Sequence, residues 1–206
     1  MVELQSEINI KLPEALTTGN HSLEQLLSQR RSVREYQNSS IALAQLAQLL
    51  WAAQGITHPQ GLRTAPSAGA LYPLEMYVAV NNVTDLEPFV YHYHPKQHRL
   101  QMHEPCNVNR MLTRAAYGQS SVRDAAAVVV FTANYERSTV KYHIRGARYA
   151  HIEAGHAAEN LFLQAQALEL KTVVVGAFFD DEVTEVLRLP RNLTPLLLMP
   201  VGHGKK

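Results

Sequence analysis

The segment QRRSVREY (29–36) sets three arginines, Arg30, Arg31 and Arg34, within five positions, with Ser32 between them. A serine flanked by guanidinium groups suits a phosphate, because each guanidinium offers planar, paired donors to phosphate oxygens. The structural alternative is a basic helix end that opposes the C-terminal dipole. Two details favour chemistry. Ser32 contributes a hydroxyl in the middle of the cluster, and Arg34 falls in what reads as extended chain rather than continued helix.

Two further stretches suit close approach of a flat ligand. PSAGALYP (66–73) has only small side chains at Ser67, Ala68, Gly69 and Ala70, with Pro66 and Pro73 stiffening the loop. It also reads as an ordinary turn into a strand. In VVVGAFFD (173–180) a Gly-Ala pair interrupts an apolar run just before a helix. That is either simple strand termination or a place where backbone N–H groups face a polar ring edge. His143, His151, Glu153 and His156 raise the question of a metal. On a helix, however, His151 and Glu153 face different ways and His151 and His156 are five apart, so they read as structural or solvent-facing histidines. No HExxH, paired-cysteine, GxSxG, GxxxxGK[ST] or GxGxxG pattern occurs, so a metal, a serine nucleophile and a Rossmann dinucleotide site are not indicated.

The elements that must position these residues follow from periodicity. Residues 1–21 are polar and read as an irregular arm. Ser22 with Gln25 three residues on fits a capping box, and Leu23, Leu26 and Leu27 then predict a short amphipathic helix over 22–30. Leu43, Leu46, Leu50 and Ala53 predict a deeply buried helix over 42–56 that Gly55 stops. Residues 57–73 form a loop rich in glycine and proline. Strands are expected at 74–80, at 89–95 with a hairpin return at 98–102, at 125–133, at 171–179 and at 195–201. Helices are expected at 107–117, 147–169 and 180–189. Strands mixed with helices and a hairpin favour α+β over strict βαβ alternation.

Composition bounds the function. The chain has 206 residues, 46% of them hydrophobic, with 19 basic and 18 acidic side chains and a net charge of +1. That suits one domain, and the balance argues against nucleic-acid or membrane-surface binding, either of which would require a broad basic excess. Cys106 is the single cysteine and cannot form an internal disulfide, which suits a reducing compartment. The N-terminus lacks an apolar signal core, and no apolar run approaches the ~20 residues needed to span a bilayer. A cytoplasmic protein is expected.

Taken together, RRSVREY, LAQLLWAAQGIT, RTAPSAGALYPLEMYV, YHYHP with HRL after it, AAYGQS, KYHIRGARYAHIEAGHAAENLFLQA, VVVGAF and PVGHG resemble the nitroreductase superfamily. The closest likeness is to its SagB-type branch, which includes azoline dehydrogenases of peptide-modifying clusters. The resemblance runs from about residue 10 to residue 203. It implies an α+β fold over residues 1–206, with a central mixed, mostly antiparallel sheet flanked by helices. It also implies an intertwined homodimer, with the 42–55 and 147–169 helices near the interface, and FMN as cofactor.

Residue by residue, the resemblance implies that Arg30 and Ser32 hold the FMN phosphate and ribityl chain, with Arg31 nearby. Arg34 lies near the N1–C2=O edge, where a fixed cation raises the electron affinity of the ring. Pro66, Ser67 and Gly69 reach the flavin from the other subunit. Gln119 bonds the pyrimidine edge, Gly176 and Ala177 supply backbone donors near N5 and O4, and Lys205 adds a C-terminal basic contact to the phosphate. Lys141-Tyr142 matches a pair implicated in proton removal by azoline dehydrogenases; its structural alternative is a surface lysine beside a packed tyrosine. The implied activity is oxidation of peptide thiazolines or oxazolines to azoles. The alternative is reduction of nitroaromatics, quinones or enones with NAD(P)H as donor, and a reading of another class is a non-catalytic flavin-binding partner protein. Substrate pockets in such proteins lie in variable loops, here 57–65, 103–123 and 134–148.

Overall fold

Adjacent strands of opposite direction organise the molecule. The computed structural model describes residues 8–205. Strands β1 (Asn9–Lys11), β2 (Leu74–Val80), β3 (Val90–His94), β4 (Arg99–Glu104), β5 (Ala127–Ala133), β6 (Lys171–Thr172) and β7 (Thr194–Gly202) form one sheet in the order β1-β4-β3-β2-β5-β7-β6. Every ladder in it is antiparallel. Among the described residues, parallel pairing is limited to isolated bridges at Ser32 with Thr172 and Ile41 with Val83.

The helices are α1 (Leu23–Gln29), α2 (Leu43–Gln54), α3 (Asn109–Ala115), α4 (Ser120–Arg123), α5 (Glu136–Tyr142), α6 (Arg145–Ala167) and α7 (Asp180–Val186). They cover both faces of the sheet. On one face α2 and α6 pack through Leu46, Leu50, Ala157 and Leu161 onto Met76, Val78, Val129 and Phe131. On the other, α3 and α7 pack through Leu112, Val183 and Leu187 onto Tyr77, Val128, Val130 and Leu198. Successive strand residues point to opposite faces, so a strand covered on both sides reads as a nearly continuous apolar run, as β5 does apart from Thr132, whose hydroxyl donates to Glu75 O at 3.1 Å.

The two long helices form where the leucine and alanine spacing predicts them. Leu46, Leu49, Leu50 and Ala53 of α2 are fully buried, so much of the apolar circumference of α2 is used within the chain. Helix α1 starts with the expected capping box, Gln25 N–H donating to Ser22 Oγ and Ser22 N–H to Gln25 Oε1, both at 3.2 Å.

Three expectations need correction. The arm is not wholly irregular: Asn9–Lys11 pairs with Arg99–Gln101 at the sheet edge, and Leu16 exchanges backbone hydrogen bonds with the Gln48 side chain at 2.8 and 3.0 Å. Residues 1–7 of that arm lie outside the described residues. The strand expected at 171–179 pairs in a ladder only at Lys171–Thr172 and touches the sheet again at Val175, opposite Leu198. Val173 and Val175 are apolar because they pack into the second core, not because they extend a ladder. Helix α5 was not anticipated. It turns sharply into α6, with His143 at φ +50°. Gly146 permits that turn, since an added Cβ would sit 2.6 Å from the Thr139 nitrogen.

Candidate active site

The arginine segment leaves α1 as extended chain and lies beside the sheet edge. Val33 N–H donates to Thr172 O at 3.0 Å, and further along Gln37 N–H donates to His203 O at 2.7 Å. The three arginines diverge from there. Arg30 leans on α6, with Nε 3.8 Å from Glu159 Oε1 and its guanidinium carbon 4.9 Å from the Phe162 ring centre. Arg31 turns back on α1 and donates to the carbonyls of Ser28 and Arg30 at 3.0 and 2.7 Å, satisfying helix-end acceptors. Ser32 and Arg34 are exposed, and Arg34 has no ion pair among the described residues.

The Gly176-Ala177 segment borders a cleft of about 360 Å³ lined by Tyr135, His151, Gly176, Phe178, Asp180 and Leu197. Among the described residues the N–H groups of Gly176 and Ala177 donate to no backbone acceptor. An added Cβ at Gly176, or at Gly155 on α6, would meet nothing within 4 Å. Gln119 reaches the same segment and donates from Nε2 to Ala177 O at 3.0 Å. Tyr135 Oη and His151 Nε2 are 2.6 Å apart, and burial followed by the Asp180 charge pushes the Tyr135 phenol up.

A second group forms at the 66–72 loop. Its backbone is left-handed at Gly69 (φ +63°), Ala70 (+53°) and Tyr72 (+46°). Ser67 Oγ accepts from Tyr72 N–H at 2.9 Å. Arg63 N–H donates to Tyr72 Oη at 3.2 Å, and Arg137 Nη1 to Tyr72 O at 3.0 Å. This clamped turn meets the end of α5: an added Cβ at Gly69 would sit 2.7 Å from Tyr142 Oη and 3.0 Å from Lys141 Nζ. Lys141 Nζ is 5.4 Å from the Tyr142 ring centre, and Tyr149 packs edge-on at 5.0 Å.

Lys205 stands apart from both groups. Its backbone N–H donates to Glu35 O at 3.1 Å, while the residue lines a cavity with Tyr36, Asn38, Asn81, Arg123 and Asp124. Sequence reasoning did not single out Tyr135 or Arg63, and weighed His151 and Glu153 only as metal ligands. Among the described residues no group of three or more His, Cys, Asp or Glu gathers for a metal. Likewise, no helix there is long and apolar enough to cross a membrane.

Residues 27–203 match the sequence pattern of the nitroreductase family. The chain belongs to the nitroreductase family. A Methanocaldococcus jannaschii protein named as a nitroreductase, MJ1384, is 47% identical over 181 residues, covering 88% of this chain and 90% of that protein. The microcin B17-processing protein McbC of Escherichia coli is 30% identical over 146 residues, covering 68% of this chain and 54% of McbC. The chain thus spans about half the length of that relative. Among solved structures, the E. coli microcin synthetase McbBCD complex with truncated pro-MccB17 bound aligns with a TM-score of 0.77 at 25% identity, covering 94% of this chain and 77% of the aligned one. The α+β architecture is thus the nitroreductase fold, and its peptide-processing relatives set the chain on the SagB-like branch of this oxidoreductase superfamily.

Proposed function

We propose that this nitroreductase-family chain is an FMN-dependent oxidoreductase. It works as a homodimer and removes two hydrogens from a peptide thiazoline or oxazoline, leaving the azole. The observation that carries this reading is the contact of Gly69 with Lys141 Nζ and Tyr142 Oη, which joins the small-residue loop and the proton-handling pair in one wall.

The residues present fit the cofactor. The cleft beside Gly176, the open space over Gly155 and Gly176, and the two N–H groups without backbone partners suit a flat ring with polar edges. Arg30 and Ser32 would hold the phosphate, with Arg31 shaping the helix end beside them. A phosphate there would displace Glu159, whose 3.8 Å contact to Arg30 is long for a salt bridge. Arg34 would set a positive charge by the electron-rich N1–C2=O edge, where it stabilises the reduced ring. Gln119, Gly176 and Ala177 would address the polar edges of the ring, and Lys205 would add a cation near the phosphate.

A bound flavin would supply the hydride acceptor for the azoline carbon, with oxygen as the terminal electron acceptor. The protein must take the other hydrogen as a proton. Tyr142 Oη, with Lys141 Nζ near it at the same wall, is the group placed to receive it. The Pro66–Gly69 loop, presented to the flavin of the other subunit, holds this pair and excludes water. Val140 (82% exposed) and Ile144 (91%), next to the pair, are apolar side chains that a second subunit would cover.

A second reading is reduction of nitroaromatics, quinones or enones with NAD(P)H. It is favoured by the 47% identity to MJ1384 over nearly the full length of both chains. Anaerobic mixing of the flavin-loaded protein with a thiazoline peptide, NADH or NADPH separates the readings. Bleaching of the flavin by the peptide, with a thiazole formed in equal amount, is expected. Bleaching only by the nicotinamides would establish the second reading, and bleaching by none would leave a flavin-binding partner protein.

A further inference from the structure

Beneath the 66–72 loop lies a polar cluster that the proposed chemistry does not use. Glu153 is 2% exposed, on a face of α6 where Ala150 and Ala157 are fully buried. A carboxylate in such a place is costly unless its charge is engaged. The groups facing it are Ser67 from the loop, Arg63 from the preceding turn and Gln54 from α2, itself 1% exposed. Glu75 of β2, Arg137 of α5 and Tyr72 act on Arg63 in turn. Arg63 Nη1 donates to Gln54 Oε1 at 2.7 Å. Glu153 Oε1, Gln54 Nε2 and Arg63 Nε nonetheless close no hydrogen bond of good geometry among the described residues. Burial is the larger influence and pushes the Glu153 carboxyl up to about 7, against the pull of Ser67, Arg63 and Gln54.

The loop above needs holding. Ala70 and Tyr72 both carry left-handed backbone, which L side chains adopt reluctantly. Ser67 Oγ uses one lone pair to accept from Tyr72 N–H. Its own proton is free to be given elsewhere, and the unpartnered Glu153 carboxyl lies near enough to Ser67 for the two to influence each other. Two residues on, the tips of Tyr142 and Lys141 come close enough to Gly69 that an added Cβ would crowd them.

We propose that Glu153 is a positioning residue: its carboxylate accepts the Ser67 hydroxyl proton, locks the 67–72 turn, and through Gly69 sets the spacing of Lys141 and Tyr142. What that spacing accomplishes rests on the dehydrogenase reading; the lock itself does not.

Amide hydrogen exchange on the whole chain, flavin-free and FMN-loaded, tests the lock. The reporters are the amides of Ala70, Leu71 and Tyr72, which donate to Ser67 O, Ala68 O and Ser67 Oγ. After correction for intrinsic rates, wild-type protection should be about tenfold higher at pH 8 than at pH 6, the scale of one hydrogen bond. Glu153→Gln offers only a neutral acceptor, as the protonated carboxyl does, so it should show the wild-type pH 6 level of protection at both pH values and lose the pH dependence. Ser67→Ala should lose both, with the β3–β4 amides unchanged as the internal control. An unaltered pH profile in Glu153→Gln, or wild-type protection in Ser67→Ala, would overturn the proposal. Protein that never binds FMN would defeat the functional reading while leaving these flavin-free profiles decisive.

Discussion

Replacing Glu153 with glutamine should change how stability depends on pH, and the sign can be worked out. The Glu153 carboxyl is raised from 4.5 to about 7, by burial first. Between those values the native state still holds the proton that the unfolded chain has released. Native stability therefore falls as pH rises through this window, reaching its lower plateau above pH 7. Each pH unit of such a difference is worth about 1.4 kcal/mol, so the full effect is about 3 kcal/mol. Glutamine keeps the shape and removes the ionisation. Glu153→Gln should therefore gain on wild type by up to ~3 kcal/mol between pH 4.5 and pH 8, or about 6–12 °C in Tm for a chain of this size. Urea unfolding of flavin-free protein at half-unit pH steps measures it, because bound flavin would add its own stabilisation. His94 and His98, whose protonation burial opposes, contribute equally to both curves. Parallel curves for the two proteins would refute the reasoning.

Other outcomes follow from the same geometry. Arg30→Ala should weaken FMN binding by ~1.5–3 kcal/mol, the scale of a charged hydrogen bond, with little change in flavin potential; Arg34→Ala should make the flavin harder to reduce, with a modest loss of affinity. Titration and spectroelectrochemistry check both, and equal effects of both variants on both quantities would contradict this division. Gly69→Ala should lower stability by about 1 kcal/mol through its φ of +63° and reduce turnover by pushing on Tyr142 and Lys141; wild-type kinetics would show that the contact has slack. Mixing Arg30→Ala with Gly69→Val protein, after dissociation and reassociation, should restore part of the flavin binding through heterodimers with one intact site, and heterodimers that form without recovery would exclude shared sites.

Much of the frame was legible because local pattern and tertiary demand agree. Ser22 and Gln25 announce α1, the leucine spacing announces α2, and the nearly continuous apolar run of β5 announces a strand covered on both faces. Short elements with no pattern of their own were not legible. Strand β1 is three residues held by Arg99–Gln101, and α5 is seven residues without apolar periodicity. VVVGAF looked like strand because burial against α7 asks for the same valines as a ladder does. Within the site, the small residues of the loop were visible, but the meeting of Gly69 with Tyr142 spans more than seventy positions. Glu153 drew notice only beside histidines, since its burial depends on α2 and on a loop some ninety residues earlier.

The central claim is that this chain holds FMN on the Arg30–Arg34 segment and the Gly176 cleft. Chromatography and mass measurement of the flavin released on denaturation, for wild type and for Arg30→Ala loaded at the same subsaturating FMN, test it most directly. The account predicts a yellow wild-type protein that releases FMN, approaching one per subunit, and a clear loss of occupancy in the variant. Release of FAD, no flavin after incubation with FMN, or full occupancy in Arg30→Ala would contradict it.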